Sequence, residues 1–549
     1  MFFSRRLQRC LFYILLPSLS VFQSQAEEER FFADYFYLAP ETATDKSAQD
    51  PAYARRYPMP EKQVRRYVAA GKGRLHFSEF RHDYFTEEKR ADVEPTQIAL
   101  GKSVNEKAPD FFAQVPSEKG MHIFLAELSS EDAAALRLRV NLCALQPGEE
   151  LWLLDSRGDA AFGPFTQRHA RPEGNWLPTT AGDRAVLVLR TPRKECPLLE
   201  IQSYSHFFKS IFNPSLRDPK PCHLDASAAE DPRAQEISTA VGILIIPRGN
   251  TQSFCTGTLI NSLGHDDATL PEPYLISAGH CFEGGPDVAG MEVFWDYRSE
   301  TDDPATLPRS SGASLVHVNH VLDGALLRLE GEVPSGPFGR AWAGWDSLRP
   351  VRQSLVQCFH YPVASSMKLS RGLISLAKTD VCKNILCTSS FERQIKINWY
   401  EGIAEAGSSG SPLLLPDFNF RIIGMLSNGN DHSCRSSQNN FDHFAAFHEY
   451  FPEIKCHLVP GEKCADPVGR TASGCFLRRL FCLNSETLAD LYRFRSGILE
   501  KSSWGRSCID EYYSLAPVLE NWFNQDPLAK EAFGLVVKAA AFWGHLLQD

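Results

Sequence analysis

The sequence predicts a mainly β protein made of a β-sandwich, a second β-rich domain and a helical C-terminal domain. Its 549 residues are enough for three or four domains of roughly 100–200 residues each. Apolar and polar residues alternate in segments such as 136–142, as in half-buried strands, and 36 glycines with 35 prolines supply many turns. After residue 456 the apolar spacing becomes helical, at 485–499, 508–523 and 532–547.

The N-terminus predicts export. A basic stretch from Arg5 to Arg9 precedes an apolar core at 11–22, and residues 24–26 offer a small-residue cleavage site. We therefore expect residues 1–26 to be a signal peptide and the mature protein to be secreted or periplasmic. Cys10 would leave with the peptide, so an even number of cysteines would enter an oxidising compartment. Later apolar runs fall short of the ~18 residues typical of a membrane helix, so we expect no membrane segment in the mature chain.

Composition and periodicity divide the rest of the chain into four segments. They are a polar leader or linker at 27–70, the β-sandwich at 71–208, the second β-rich domain at 218–455 and the cysteine-containing helical domain at 456–549. Further strands are predicted at 151–154, 185–189, 241–246, 274–277, 324–329 and 422–426. Cys143 and Cys196 are the only cysteines of the sandwich segment, so we expect them to form a disulfide.

Charge and cysteine spacing exclude several classes of function. The formal net charge is −10, whereas nucleic-acid binders usually carry a basic surplus, so we expect no nucleic-acid partner. The pairs Cys382-x4-Cys387 and Cys456-x7-Cys464 are interpreted as disulfides and not as metal ligands, because thiols oxidise in exported proteins. We expect no metal, no other cofactor and a monomer.

Three motifs of the second β-rich domain hold the residue types of nucleophilic catalysis. His280 lies in Ser-Ala-Gly-His-Cys, Asp323 heads a buried strand, and Ser409 lies in the turn Gly-Ser-Ser-Gly-Ser-Pro. A serine hydroxyl needs a base to take its proton, and the base needs a third group that orients it. The backbone N–H groups of Gly407 and Ser409 would converge as an oxyanion hole. A disulfide between Cys255 and Cys281 would brace the strand that carries the base.

These motifs resemble those of the chymotrypsin-fold serine endopeptidases, and more narrowly those of the secreted bacterial lysyl endopeptidases. The likeness extends to Phe-Cys-Thr-Gly-Thr-Leu-Ile-Asn at 254–261, Phe-Trp-Asp-Tyr at 294–297 and His-Tyr-Pro at 360–362.

The resemblance covers residues 218–455 and implies a double β-barrel with a role for each motif. His280 would be the general base, Asp323 the acid that orients it and Ser409 the nucleophile, with Ser411 as the alternative hydroxyl.

Two departures from trypsin-type enzymes change the expected activation. The residue before the nucleophile is Ser408 and not aspartate, and Ser-Thr-Ala-Val-Gly at 238–242 replaces the Ile-Val-Gly-Gly start. Activation by an ion pair between that aspartate and a new N-terminus is therefore excluded. The lysyl endopeptidases share the Ser-Ser form, and the likeness to them implies a disulfide between Cys222 and Cys434.

The resemblance also implies cleavage after Lys, with Arg as a further acceptable residue. Ile403 stands where trypsin has its pocket aspartate, whereas Asp442-His-Phe-Ala matches the aspartate that the lysyl branch uses. A buried carboxylate there would pair with a cationic side chain. Ser427 and Gly429 would form the wall of the pocket and pair with the substrate backbone.

Alternatives stay open for both specificity and activity. Asp431 is a competing pocket acid, and His432 or His443 would instead favour an acidic substrate residue, as in glutamyl endopeptidases. A catalytically silent, secreted binding protein on a protease scaffold is the second hypothesis, although such proteins usually lose a member of the triad. An active enzyme would take a protein or peptide substrate.

The flanking segments also have counterparts among exported bacterial proteins. The stretches at 163–166, 175–176 and 181–183 resemble the N-terminal pro-region of such endopeptidase precursors. The sandwich is therefore interpreted either as a propeptide or as a retained binding module. The tail, notably at 511–517, resembles a helical C-terminal segment for which no chemistry is implied.

Overall fold

The computed structural model describes residues 30–40, 59–70, 72–78, 96–118, 120–158, 160–208, 219–264, 270–330, 333–376, 394–430, 432–434 and 440–465. One compact unit comprises Phe32–Ser375 and Ile395–Asp466. The predicted signal peptide, the pair Cys382 and Cys387, the competing acid Asp431 and the helical tail lie outside the described residues.

Parts of the segment expected to be a leader or linker are folded. They are the strands β1 Phe32–Ala33 and β2 Phe36–Leu38 and the helix α1 Glu61–Ala69. Both strands pair with strands of the second domain. The helix buries Val64 and Tyr67 against the outer face of a sandwich sheet. Phe36 of β2 packs edge-on against Trp342 of the second domain, a contact between residues distant in sequence that the local pattern does not reveal.

The sandwich consists of two sheets with a buried apolar core between them. Its elements are β3 Gly73–Phe77, β4 Gln97–Lys107, α2 Ala108–Phe111, β5 Ala113–Glu118, β6 Met121–Ser130, β7 Ala135–Asn141, β8 Glu150–Asp155, β9 Ala161–Phe165, β10 Asn175–Trp176, β11 Thr180–Ala181, β12 Arg184–Thr191 and β13 Glu200–Phe207. One sheet has the order β3-β6-β12-β8-β9, with β5 on β6, and the other joins β10 and β11 to β7, β13 and β4. Leu138, Leu153 and Leu187 lie in the core, which confirms the alternating strands predicted there.

The second domain contains the remaining described strands and two helices. They are β14 Leu224–Asp225, α3 Pro232–Ser238, β15 Val241–Arg248, β16 Thr251–Leu259, β17 Tyr274–Ala278, β18 Glu292–Trp295, β19 Arg309–Ser311, β20 Ala313–Asn319, β21 Gly324–Leu329, β22 Arg340–Trp342, β23 Trp345–Asp346, β24 Leu355–His360, β25 Lys368–Leu376, β26 Gln394–Glu401, β27 Pro412–Leu415, β28 Arg421–Gly429, β29 Phe441–Ala446 and α4 Phe447–Leu458.

These strands form the expected double β-barrel of the chymotrypsin fold. The first barrel follows the order β19-β18-β15-β16-β17-β21-β20. In the second, β28, β27, β24, β25, β26 and β29 follow one another, and a further pairing of β29 with β28 closes the ring. The strands predicted at 241–246, 274–277, 324–329 and 422–426 all fall within observed strands, so these predictions are confirmed. The helix α4 crosses the boundary expected at residue 455.

A continuous sheet joins the sandwich to the first barrel along a seam, formed where β4 pairs with β16. The backbone N–H of Phe254 also donates to the carbonyl oxygen of Thr96 at 3.0 Å. Behind this seam, the buried Arg137 of the sandwich donates to the side chain of Gln252 and lies 3.4 Å from the buried carboxylate of Glu292. The sandwich is therefore packed onto the barrel through hydrogen bonds and buried charge.

The structure contains three disulfides among the described residues. They join Cys222 to Cys434, Cys255 to Cys281 and Cys456 to Cys464. 

The predicted bond between Cys143 and Cys196 is wrong for this structure, in which both thiols are free. Cys143 is exposed and its sulfur lies 3.8 Å from the carbonyl oxygen of Arg171, whereas Cys196 is half-buried against the sandwich core. A disulfide needs side chains that face each other, and cysteine count alone cannot supply that geometry.

No helix in the described part of the chain is long and apolar enough to span a bilayer.

Candidate active site

The histidine and the aspartate of the predicted triad are in contact. His280 lies in the short turn Gly279–Phe282 after β17, and Asp323 lies directly before β21. Strands β17 and β21 are paired, which brings the two residues together. His280 Nδ1 is 2.9 Å from Asp323 Oδ2, and the backbone N–H of His280 donates to Asp323 Oδ1 at 2.7 Å. Because Nδ1 faces the carboxylate, it carries the proton and leaves Nε2 as the basic nitrogen.

The surroundings of His280 favour its protonated form. Burial opposes protonation, but the hydrogen bond and negative charge of Asp323 together outweigh it, so the pKa of His280 is raised. The disulfide from Cys281 to Cys255 anchors the turn that carries the imidazole, and the Arg248 guanidinium donates to the Cys281 carbonyl oxygen at 2.6 Å. The turn that carries His280 is therefore held by a disulfide and by a hydrogen bond to its backbone.

The nucleophile turn adopts a conformation that glycine permits. Gly407 has φ of +90° and Gly410 has φ of +85°, both in the left-handed region. A Cβ atom on Gly410 would lie 2.1 Å from the Ser277 hydroxyl and 2.9 Å from the Ala278 backbone nitrogen. The turn therefore packs directly on the end of β17, beside the turn that carries His280.

Among the three serines of this turn, Ser409 is the accessible one. Ser408 and Ser411 are fully buried, and the Ser411 hydroxyl donates to the Ser408 carbonyl oxygen. Ser409 is half-buried and lines a cavity. Its carbonyl oxygen accepts from Thr256, while no described group accepts a hydrogen bond from the backbone N–H of Ser409 or of Gly407. These two donors are therefore available to an incoming oxyanion.

A neutral hydrogen-bond chain occupies the place of the activating ion pair of trypsin-type enzymes. Ser408 Oγ lies 2.8 Å from His360 Nδ1, and His360 Nε2 lies 3.1 Å from Ser370 Oγ. Ser370 donates to the Ile403 carbonyl oxygen, so it accepts from His360 Nε2 and Ser408 donates to Nδ1. Burial holds the pKa of His360 well below its usual value, which keeps the imidazole neutral. His360 belongs to the His-Tyr-Pro motif, but its contact with Ser408 is not evident from the sequence.

Asp442 lies with Ser409 in the lining of one cavity of about 300 Å³. It belongs to β29, is 2% exposed and pairs in register with Gly429 of β28. A Cβ atom on Gly429 would lie 1.6 Å from Asp442 Oδ1, so only glycine leaves room for the carboxylate. Ser427 lines the same cavity. The predicted pocket residues are thus brought together.

The Asp442 carboxylate has two side-chain partners that sequence analysis did not assign. The indole Nε1 of Trp399 donates to Oδ2, and His432 Nε2 lies 3.2 Å from Oδ1. His432 also lines the cavity, whereas His443 is outside the lining and its ring packs edge-on against Phe441. An acidic residue flanked by tryptophan and histidine gives no local signal, because the three positions are far apart in sequence.

The group Cys456, His457 and Cys464 has metal-ligand proximity. Cys456 and Cys464 are joined in a disulfide, as the spacing predicted, so their sulfurs are not thiolate ligands here.

Comparisons with known proteins agree with this geometry. Residues 216–445 match the family described as "Lysyl endopeptidase, C-terminal domain". A curated relative, "Lysyl endopeptidase" of Pseudomonas aeruginosa, is 24% identical over 393 residues, which cover 67% of this chain and 82% of the relative.

Solved structures of proteases also match, at low overall similarity. The active form of the Rv3671c protease from M. tuberculosis has a TM-score of 0.28 and 13% identity, covering 46% of this chain and 94% of that one. The HtrA-type protease AlgW with a tripeptide has a TM-score of 0.28 and 15% identity, covering 41% and 62%. The curated relative and the family match support a serine endopeptidase that is similar over residues 216–445 to the lysyl endopeptidases, and the double-barrel fold agrees with them.

Proposed function

We propose that the protein hydrolyses peptide bonds after lysine through a triad of Ser409, His280 and Asp323. The observation that carries this proposal is the buried Asp442 carboxylate in a cavity that Ser409 also lines. A lysine side chain in that cavity would place its ammonium near Asp442 and its carbonyl carbon near the Ser409 hydroxyl.

The reaction would follow two acyl-transfer steps. His280 Nε2 takes the Ser409 proton as Oγ attacks the carbonyl carbon, and the N–H groups of Gly407 and Ser409 stabilise the oxyanion. The protonated His280 then gives its proton to the leaving amine, and an acyl-enzyme remains. His280 next takes a proton from water, the resulting hydroxide attacks the ester, and Ser409 recovers its proton. Asp323 holds the imidazole in the productive tautomer throughout.

The choice of lysine follows from charge and from the relative. An ammonium group that loses its water needs an opposing charge, because its desolvation is otherwise uncompensated. Asp442 supplies that charge, and the curated relative is a lysyl endopeptidase. Arginine remains an acceptable cation on charge alone. Ser427 and Gly429 of β28 would pair with the substrate backbone beside the cavity.

We further propose that the protein acts outside the cytoplasm as a monomer, with residues 218–455 as its catalytic domain. Three disulfides among the described residues support an oxidising compartment. Its partners would be protein or peptide substrates.

Labelling with a fluorophosphonate probe tests the nucleophile. We expect the protein to label and Ser409→Ala to lose all labelling, while Ser411→Ala, if folded, keeps it. A folded protein that never labels would support the alternative of a catalytically silent binding protein.

Digestion of a denatured proteome followed by sequencing of the new ends tests the pocket. We expect cleavage after Lys, and we expect Asp442→Asn to cut this rate by orders of magnitude while the Ser409 label is kept. Asp417→Asn is the matched control, because Asp417 is exposed in the turn Pro416–Phe418 outside the cavity. Cleavage after Glu, or a profile unchanged in Asp442→Asn, would contradict the assignment.

A further inference from the structure

His432 is an ionisable side chain that lies next to Asp442 in the pocket. Its side chain is buried, lines the cavity, and places Nε2 3.2 Å from Asp442 Oδ1. Its backbone is fixed from two sides: the His432 carbonyl oxygen accepts from Lys220 Nζ at 2.9 Å, and Cys434, two residues later, is bonded to Cys222. The backbone that carries the imidazole is therefore held beside the pocket.

The second oxygen of Asp442 has a different kind of partner. Trp399 Nε1 donates to Oδ2. An indole is a donor that stays neutral at all ordinary pH values. The negative charge of Asp442 is thus balanced inside the protein by His432 alone among its two side-chain partners, and only when that imidazole is protonated.

Other ionisable groups also lie near this pair. In the cavity lining, Glu405 is half-buried; burial opposes its charge, but hydrogen bonds from His223 and from the Lys220 backbone lower its pKa. Lys220 Nζ lies 3.8 Å from Glu405, so these two charges offset each other.

Groups behind the pocket are neutral. Burial holds the pKa of His360 well below and that of Cys358 well above the usual values. His443, next to Asp442 on β29, has its pKa lowered by burial and by the positive charge of Lys396. Of the two side chains in contact with Asp442, the Trp399 indole is neutral, so His432 is the one that can change its charge.

We propose that His432 is a specificity-determining residue that competes with the substrate cation for Asp442: the pocket takes a cationic side chain when His432 is neutral, and binding of the cation expels the proton from His432. This inference rests on the proposed role of Asp442 as the receptor of a lysine side chain. A second cation within a few ångström of a protonated imidazole in a buried pocket would otherwise be repelled.

The direction of the pH effect follows from the free protein. Burial opposes protonation of His432, but the Asp442 carboxylate 3.2 Å away outweighs it and raises the pKa of His432 above the usual 6.5. Below that pKa the free pocket holds the histidine proton, so cation binding releases it. Apparent affinity for a cation should then fall up to about tenfold for each pH unit below the pKa of His432, and should be independent of pH above it.

The test measures proton release with the full chain carrying Ser409→Ala, which cannot form an acyl-enzyme. The probe is n-butylammonium, which has the charged end of lysine but no carbonyl group to approach His280. Titration calorimetry at pH 6 in buffers of different ionisation enthalpy gives the number of protons released. We expect release approaching one proton per bound cation, loss of that release in His432→Asn, and unchanged release in the control His443→Asn.

A measurement without a pocket substitution accompanies it. Hydrogen–deuterium exchange at the Cε1–H of individual histidines, read by mass spectrometry, reports the pKa of His432 separately from that of His280. We expect saturating n-butylammonium to lower the pKa of His432, and equimolar n-butanol to leave it unchanged. Binding of n-butylammonium with no proton release and no change at His432 would overturn the inference and leave the Asp442 pocket intact. A folded protein that does not bind the cation at pH 8 would overturn the pocket itself, and the inference with it.

Discussion

Replacing Arg137 with methionine would remove a buried cation from the seam between the sandwich and the first barrel. The Arg137 side chain is 1% exposed, and its guanidinium donates to the carbonyl oxygen of Leu177 at 2.9 Å and to the side chain of Gln252 at 3.1 Å. It also donates to Gly290 and lies 3.4 Å from Glu292, which is 0% exposed. Methionine keeps much of the aliphatic stem, so the change isolates the lost charge and hydrogen bonds.

The expected cost is large because one partner of a buried pair is removed. Such a change typically costs about 3–5 kcal/mol, since the remaining charge is left uncompensated in the interior. Glu292 keeps Arg309 at 3.6 Å and the backbone N–H of Thr179, which favours the lower half of that range. Acceptors without a donor add about 1–3 kcal/mol each before relaxation, so the individual losses do not sum simply. We expect a net loss of about 3–4 kcal/mol.

Urea unfolding of the full chain in a Ser409→Ala background measures this loss without self-digestion. The matched control is Asp303→Asn, because Asp303 also pairs across the same two domains, with Arg157 at 3.4 Å, but both side chains are more than 40% exposed. An exposed pair is worth about 0–1 kcal/mol, so Asp303→Asn should shift the midpoint little. Equal shifts in the two variants would refute the argument that the seam depends on buried charge.

Three smaller changes test the site and the sandwich. Asp323→Asn should lower turnover about 10⁴-fold. Because asparagine has no charge to raise the pKa of His280, the acidic side of the pH profile of kcat/KM should move to lower pH. An unchanged profile would contradict the effect of Asp323 on His280. Gly407→Ala, at φ of +90°, should cost about 10²–10³-fold in kcat through the oxyanion hole, measured on an ester substrate after a check of the fold. Alkylation of the folded protein should modify Cys143 and spare Cys196, whose pKa burial and Glu149 raise to about 11; mass spectrometry showing a disulfide between them would restore the original prediction.

The strands and the contact between His280 and Asp323 were predictable because their signals are local. Alternation of apolar and polar residues indicates a strand within a short segment. The motifs around His280 and Ser409 likewise each lie within a few neighbouring residues. The pairing of β4 with β16 was not predictable, because the sequence of a strand at the edge of a sheet does not show which other strand will pair with it. Asp442 could likewise be assigned from a local motif. Its contacts with Trp399 and His432 could not, because they form only when the chain folds.

The neutral chain from Ser408 through His360 to Ser370 changes what the nucleophile turn depends on. In the trypsin type, a charged N-terminus produced by cleavage must reach a buried carboxylate before that turn is formed. Here the turn is held by hydrogen bonds between groups within one domain, and His360 stays neutral because it is buried. In this structure the turn that carries Ser409 is therefore formed without a new N-terminus. Its packing instead depends on Phe254, which would meet any Cβ on Gly407 at 1.8 Å and whose own backbone is bonded to Thr96 of the sandwich edge. The geometry of the candidate oxyanion hole is in this way linked to the seam, by one side chain and one backbone hydrogen bond.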